Sequence, residues 1–304
     1  MEHSLDLTYH WAGFSALVVF VIAYAFVMAE EFTHLRKSKP VVLAAGLIWG
    51  MIAIAYSNTP HYEMVEHEIR HSFLEYTELA FFLLVAMTYI NALEERNVFN
   101  SLKSWLIKNQ FSYRQLFWIT GVLAFFLSPL ADNLTTALVL CAVVVAVGSS
   151  SPKFVGLACV NIVVAANAGG AFSPFGDITT LMVWQAGQLD FLQFFALVIP
   201  SVVNYIIPAS IMHFFVSDHK PDVAETSVTI KYGGKTIILL GLLTIVTAVS
   251  FHNFLHLPPV FGMMTGLAYL QLYSFYIKIS VKGVEEQKYD FFENVARVEW
   301  DTLL

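Results

Sequence analysis

Two stretches of the sequence decide its fold: SPLADNLTT at 128–136 and SPFGDITT at 173–180. Each places an aspartate, Asp132 or Asp177, after a Ser-Pro pair and before a pair of threonines, with apolar runs on both sides. Proline removes a helical hydrogen bond, and glycine permits unusual backbone dihedral angles. Both stretches therefore predict an interrupted apolar helix in which backbone carbonyl groups are freed beside a carboxylate.

The composition indicates that these interruptions lie in a membrane. Of the 304 residues, 57% are hydrophobic and 13% are charged, whereas a soluble domain carries about 25% charged residues. The mean hydropathy is +0.65. A net charge of −7 without a basic block argues against a nucleic-acid partner. We therefore expect an all-α polytopic membrane protein that contacts membrane lipid.

The lengths of the apolar runs predict how the chain crosses the bilayer. A crossing helix needs about 20 apolar residues. The run at 154–186 is long enough but is broken around Asp177, whereas 116–128 and 134–148 are each too short to cross alone. The two short runs predict a re-entrant hairpin over about 116–148. With the broken helix we expect about seven crossings, of which the uninterrupted ones lie at 11–29, 40–57, 73–92, 192–216, 236–252 and 259–278.

The basic residues predict the orientation. If the N-terminus is outside and the hairpin returns to its own side, every lysine and arginine except Arg70 lies on the inner side, as the positive-inside rule requires. A hairpin that crossed completely would move the basic loops after residue 217 to the outside. The segment 97–110 mixes apolar residues with lysines and predicts either an amphipathic helix at the inner surface or a short helix in a cytoplasmic loop.

Asp132 and Asp177 are the polar residues expected deepest in the membrane. An ionisable side chain there costs roughly 2.5–3.5 kcal/mol, so it requires an explanation. Carboxylates, amide oxygens, threonine hydroxyls and freed carbonyls are hard ligands for small cations, and a carboxylate also binds protons. Broken helices around a midplane site are typical of secondary transporters. The alternative is that both aspartates only cap the helices that follow them.

Two further sets of polar residues are weaker candidates. Glu75 and Glu78 share one face of the span 73–92 and are secondary candidates for ion binding, unless they are interfacial carboxylates. Asn161 and Asn167 precede the second interruption. Buried asparagine in membrane helices commonly forms hydrogen bonds between helices rather than binding a ligand. Asn167 adjoins a glycine pair and is the better candidate for a ligand.

The sequence His67-Glu68-Ile69-Arg70-His71 matches the His-Glu-x-x-His zinc signature. A membrane zinc metalloprotease with Glu68 as general base is therefore an alternative function. The motif is predicted to lie in an outer loop, and no clear third ligand follows it. We therefore expect no zinc and no enzymatic activity.

Three strings, LEYTELAFFLLVAMTYINALEER (74–96), SPLADNLTTALVL (128–140) and NAGGAFSPFGDITTLMVW (167–184), resemble the NhaD-type sodium/proton antiporters of the ion-transporter superfamily. In that superfamily a hairpin and a broken helix build one side of a central site, and an inverted second half builds the other. The resemblance implies an ion site of Asp132, Asn133, Thr135, Thr136, Asn167, Gly169, Gly170, Ser173, Asp177, Thr179 and Thr180.

The resemblance also implies how the chain is organised. Residues 1–235 correspond to a first repeat and 236–304 to the beginning of a second one. A complete member would continue with a second hairpin and broken helix, so we expect a truncated copy or a fragment. Bacterial inner-membrane localisation, a homodimer and the absence of a cofactor are further expectations.

The function expected from the resemblance is exchange of Na⁺, or Li⁺, for H⁺ by competition at the buried aspartates. No Gly-x-x-x-x-Gly-Lys motif occurs in the sequence, which disfavours an ATP-driven pump. An organic-anion or arsenite carrier of the same superfamily is the remaining alternative. Two aspartates without a nearby arginine make anion binding the less favoured of the two.

Overall fold

The computed structural model describes residues 7–60, 62–109, 111–148, 151–220, 228–280, 290–298 and 300–303, and its regular elements there are helical. In chain order they are α1 (Trp11–Met28), α2 (Glu30–Thr33), α3 (Ser38–Tyr56), α4 (Tyr62–Glu95), α5 (Val98–Lys108), α6 (Tyr113–Ala131), α7 (Asn133–Val147), α8 (Pro152–Gly170), α9 (Ile178–Gln185), a 3₁₀ helix (Phe191–Leu197), α10 (Val198–His213), α11 (Gly234–Leu255), α12 (Pro259–Ser280), α13 (Phe291–Ala296) and α14 (Trp300–Leu303).

Eight helical segments within the described ranges are long and apolar enough to cross a membrane. They are α1, α3, α4, α6, α8, α11, most of α12, and the 3₁₀ helix together with α10. Many of their large apolar side chains are exposed, as expected for surfaces in contact with lipid. The predicted all-α polytopic membrane fold is confirmed.

The chain divides into two compact units. The first comprises Met1–Leu84 with Glu299–Leu304, and the second comprises Val85–Val298. In the first unit α1 packs against α3, and the Tyr76 hydroxyl donates a hydrogen bond of 3.0 Å to the carbonyl of Leu303. The second unit contains both predicted interruptions.

Within the second unit, small residues hold α11 against α12. Gly266 touches Thr244 so closely that a Cβ at Gly266 would overlap the threonine side chain. The Thr244 hydroxyl donates to the Tyr89 hydroxyl at 2.9 Å, and Tyr89 donates to the carbonyl of Gly266 at 2.7 Å. Such close approach of small residues is a common way for helices to associate in membranes.

Helices α6 and α8 run parallel and in register. Asn161 of α8 donates to the carbonyl of Phe117, and Ser173, after α8, donates to the carbonyl of Pro129. Both pairs are separated by 44 residues, and a constant separation means that the two segments advance in the same direction. The end of α6 is therefore brought to the end of α8, where the second interruption begins.

Helix α7 returns to the end of the unit at which α6 begins. The Tyr113 ring at the start of α6 lies 4.3 Å from the Phe154 ring at the start of α8. Gly148, directly after α7, adjoins the same Phe154 ring. The predicted hairpin is therefore present as α6 and α7, and its re-entrance into a membrane stays a prediction.

The predicted length of the first hairpin arm is wrong. Helix α6 has 19 residues, begins with a capping box between Ser112 and Gln115, and continues through Pro129. Its rise of about 28 Å is enough to cross a bilayer, whereas α7 has only 15 residues. A proline in the last turn removes one hydrogen bond without ending the helix, because only the carbonyl four residues earlier, that of Phe125, loses its donor.

Two other predictions concern helix boundaries. The amphipathic segment 97–110 forms α5 over Val98–Lys108, with residue 110 outside the described residues. The His67–His71 segment lies within α4 rather than in a loop, so that prediction is wrong. Its polar residues do not end the helix, because glutamate and arginine have high helix propensity.

Candidate ion-binding site

Asp132 joins the two arms of the hairpin in a strained backbone conformation. Its φ of 57° and ψ of 162° lie in a region that is nearly restricted to glycine and costs on the order of 1–3 kcal/mol. Its carboxylate accepts hydrogen bonds from the Thr135 backbone N–H at 2.8 Å and from the Thr135 hydroxyl at 2.9 Å. The aspartate therefore caps α7 as the capping alternative requires, at the expense of backbone strain.

Asp177 caps α9 and also reaches across to the hairpin. Its Oδ1 accepts from the Thr179 N–H at 2.9 Å and from the Thr179 hydroxyl at 2.8 Å. Its Oδ2 accepts a 2.7 Å hydrogen bond from the Asn133 amide. Capping accounts for one carboxylate oxygen only, because the second one joins the two interruptions.

Asn133 lies at the centre of the cluster. Besides Asp177, its amide nitrogen approaches Asn167 Oδ1 at 3.4 Å, and its Oδ1 accepts from the Ser128 hydroxyl at 2.5 Å. Gly170 leaves the space that Asn133 occupies, since a Cβ there would overlap Asn133 Oδ1. The two predicted interruptions therefore form one polar cluster.

The hydroxyls of Ser173 and Thr180 bond to the backbone. Ser173 donates to the carbonyl of Pro129 at 3.0 Å, and Thr180 donates to the carbonyls of Ser173 and Asp177 at 2.8 and 2.9 Å. Gly169 approaches the carbonyl of Phe125, the group that Pro129 leaves without its helical donor. These residues position the two interruptions against each other.

Exposure separates the cluster into an inner and an outer part. Thr136 is buried, and its hydroxyl has no hydrogen-bond partner among the described residues. Asp132, Asn133 and Asp177 are half-buried, and Asn167 and Thr179 are exposed. No lysine or arginine of the described residues makes an ion pair with Asp177. The cluster thus presents acceptor oxygens without a competing cation, which suits a small cation or a proton.

Three contributions to this cluster were not predicted from the sequence. These are the hydroxyl of Ser128, the carbonyl of Phe125 and the close contact between Gly170 and Gly176. The role of Ser128 could have been predicted from the sequence, because both interruptions begin with a Ser-Pro pair. The position of the Phe125 carbonyl depends on the parallel register of α6 and α8, and the contact between Gly170 and Gly176 depends on how the chain folds back within the second interruption. No local sequence pattern encodes either one.

The secondary candidates lie on α4, in the first unit. Glu75 Oε1 lies 3.6 Å from His71 Nδ1. Within the described ranges no group of three or more histidine, cysteine, aspartate or glutamate side chains is placed to hold a metal ion. The zinc signature therefore has two histidines one helical turn apart and no third ligand there.

Comparisons with known proteins show what the sequence is similar to. The sequence profile of the citrate transporter family (CitMHS) matches residues 11–304. The chain is 52% identical to the Na⁺/H⁺ antiporter NhaD of Vibrio cholerae, over 99% of this chain and 68% of that protein. It is 51% identical to NhaD of Alkalimonas amylolytica, over 99% and 66%.

A plant relative is more distant, and all of these relatives are longer than this chain. Sodium/proton antiporter 1 of Arabidopsis thaliana is 32% identical over 83% of this chain and 44% of that protein. The chain spans about two thirds of the length of the bacterial relatives. These names are those of transporters, not of enzymes, and the metalloprotease alternative is not favoured. The chain belongs to the citrate transporter family of membrane transporters, as a member of the NhaD type.

Proposed function

We propose that this protein exchanges Na⁺ for H⁺ across a membrane and that the cluster around Asn133 and Asp177 forms one side of the ion site. The bond between Asp177 Oδ2 and the Asn133 amide carries this proposal. It brings a carboxylate from one interruption to an amide from the other, and both interruptions adjoin helices that are long enough to cross a membrane. The names of the bacterial relatives support the choice of ions.

The movements of Na⁺ and H⁺ are coupled because the two ions compete for the same carboxylates. In the proton-bound state a neutral Asp177 no longer attracts a cation, and in the deprotonated state its charge favours Na⁺. The Asn133 amide donates to Asp177 when no cation is bound. When Na⁺ is bound, rotation of the amide presents its oxygen to the ion instead. Two ions that need the same carboxylate cannot be carried together, so exchange requires no ATP.

The orientation and organisation belong to the same proposal. We place the N-terminus outside and the basic loops inside, in the inner membrane of a bacterium. Residues 1–235 form the first repeat and 236–304 begin an inverted second repeat, which builds the other side of the site. Na⁺, H⁺ and lipid are the partners, and a homodimer is the proposed assembly.

An organic-anion carrier is the second candidate, because the matching family profile is that of citrate transporters. An anion would require donor groups at the interruptions. Asp177 instead offers carboxylate oxygens, and its described neighbours include no arginine. The alternative is therefore less favoured than cation exchange.

Proteoliposomes with an imposed pH difference test the proposed function. We expect Na⁺ to dissipate the pH difference through the reconstituted protein, as followed by a fluorescent amine, and K⁺ to have no effect. Citrate in place of Na⁺ provides the comparison. No response to Na⁺ would contradict the proposal, and a response to citrate alone would favour the anion carrier.

Replacing Asp132 with glycine is expected to stabilise the fold and stop exchange. The variant Asp132→Gly relieves backbone strain on the order of 1–3 kcal/mol and loses a helix cap at a cost of a few tenths of a kcal/mol. The net gain of about 1 kcal/mol or more should appear as a higher unfolding temperature in detergent, while Na⁺-dependent exchange disappears.

The matched control is His34→Gly. His34 is exposed and has a φ of 53°, so glycine relieves a positive φ there and changes no residue of the cluster. This control should be stabilised modestly and keep its exchange activity. A lower unfolding temperature of Asp132→Gly together with normal exchange would contradict the role given to Asp132.

A further inference from the structure

A cavity of about 450 Å³ lies at the beginning of α6, the end of this helix that is remote from the ion cluster. Its polar lining includes Arg114 and Trp118 on α6, His213 at the end of α10, and Asp218 in the segment after α10. The volume is within the range of small-molecule sites in proteins, about 300–1,000 Å³. None of these four side chains belongs to the proposed ion site, so the cavity requires an explanation of its own.

The cavity carries one positive and one negative charge that lie close together without a hydrogen bond between them. Arg114 Nη1 is 3.9 Å from Asp218 Oδ2, which is too long for a hydrogen bond. Arg114 Nη2 donates to the carbonyl of Val216 at 3.2 Å, and Asp218 Oδ1 accepts from the Ser112 hydroxyl at 2.8 Å. The two side chains are 39% and 63% exposed. Both charges are therefore held in place and accessible, with N–H donors and an acceptor oxygen left for a ligand.

Trp118 and His213 add a further donor to the cavity. The Trp118 indole N–H donates to His213 Nδ1 at 3.0 Å. A neutral imidazole that accepts at Nδ1 carries its proton at Nε2, so the Nε2–H of His213 is left to donate. The cavity therefore offers donors from an arginine and a histidine beside an acceptor from an aspartate. A ligand with a negative and a positive end matches this arrangement.

The place of the cavity in the fold corresponds to the level of lipid headgroups. It lies at the first turn of α6 and the last turn of α10, and both helices belong to segments long enough to cross a membrane. Phe214, next to His213, is 81% exposed. The half-exposed Trp105 of α5 meets the ring of Phe111, which also lines the cavity, at 6.0 Å. Tryptophan is enriched at membrane–water interfaces, so apolar surface for acyl chains adjoins the charged cavity.

We propose that this cavity binds the headgroup of a zwitterionic phospholipid with a primary ammonium group, such as phosphatidylethanolamine. The lipid phosphate accepts from the N–H groups of Arg114 and His213, and the ammonium donates to Asp218 Oδ2. A choline headgroup has no N–H for the carboxylate, and an anionic headgroup has no positive charge to place beside it. The paired charges of the cavity therefore favour ethanolamine over both.

Lipid titrations of the purified protein in detergent test the site through the unfolding temperature. We expect phosphatidylethanolamine to raise it at concentrations at least about tenfold lower than phosphatidylcholine or phosphatidylglycerol with the same acyl chains, because both lack an ammonium N–H for Asp218. Inorganic phosphate and free phosphoethanolamine, which have no acyl chains, should have no effect at the same concentrations. Equal responses to the three lipids would overturn the proposal, and so would an equal response to either soluble compound.

Two substitutions separate the two ends of the headgroup. Arg114→Gln removes a partner of the phosphate and should weaken the response to all three lipids. Asp218→Asn removes the partner of the ammonium and should abolish the preference for ethanolamine while strengthening the response to phosphatidylglycerol. Each variant is compared with itself without lipid, so a change in its own stability does not affect the result. A preference for ethanolamine that persists in Asp218→Asn would overturn the proposal.

Arg297 provides the matched control. It is an exposed arginine whose Nη2 lies 3.7 Å from Glu293 Oε2, and it does not line the cavity. The variant Arg297→Gln should respond to the three lipids as the unaltered protein does. If it loses as much of the response as Arg114→Gln, the effect belongs to arginine charge in general and the cavity is not the site. None of these measurements requires transport, so their outcome is independent of the proposed Na⁺/H⁺ exchange.

Discussion

The variant Asp177→Asn should lose Na⁺-dependent exchange while keeping its fold. A unit charge about 4 Å from a cation contributes about 4 kcal/mol at an effective dielectric constant of 20, which corresponds to roughly 10³-fold in affinity. Asparagine is as good a helix cap as aspartate, so the contacts to Thr179 can be retained. The measurements are the Na⁺ dependence of exchange in proteoliposomes and the unfolding temperature.

The matched control for this substitution is Asp190→Asn. Asp190 also caps a helix, the 3₁₀ helix, where it forms a capping box with Gln193. We expect normal exchange and an unfolding temperature close to that of the unaltered protein. Retention of Na⁺-dependent exchange in Asp177→Asn would refute a site at which Na⁺ and H⁺ compete for this carboxylate.

The interruptions could be predicted from the sequence because their chemistry is local. A Ser-Pro pair followed by an aspartate and two threonines predicts where the helix is interrupted and which residue caps the helix that follows. In the structure α7 and α9 begin directly after Asp132 and Asp177. The end of α6 could not be predicted in this way. The effect of Pro129 depends on its position in the last turn, which is set by packing.

The contacts within the cluster were less accessible to prediction. The resemblance gave the residues, but the bond from Asn133 to Asp177 requires α6 and α8 to lie parallel with a separation of 44 residues. The start of α4 was missed for another reason. Hydropathy predicts only the apolar part of a helix, here from residue 73. Helix α4 begins earlier, at Tyr62, with a polar segment that hydropathy does not detect.

The variant Gly170→Ala should disrupt the cluster without changing any charge. A Cβ at this position would overlap Asn133 Oδ1 and approach the carbonyl of Gly176. Asn133 would have to move, which breaks its bonds to Ser128 and Asp177. Overpacking of this kind costs about 1–3 kcal/mol. We expect a lower unfolding temperature and a loss of Na⁺-dependent exchange of at least tenfold.

Gly156→Ala on the same helix separates this steric effect from the general effect of alanine. Apart from its chain neighbours and the backbone of its own helix, no atom lies within 4 Å of the position of a Cβ at Gly156. Alanine in a helix is more favourable than glycine by about 0.5–1 kcal/mol. This variant should be slightly more stable and fully active. If Gly170→Ala behaves in the same way as Gly156→Ala, the close contact between Gly170 and Asn133 is not required. A methyl group at Gly170 would then have been accommodated as easily as one at Gly156. The ion cluster would not require Asn133 to lie directly against Gly170.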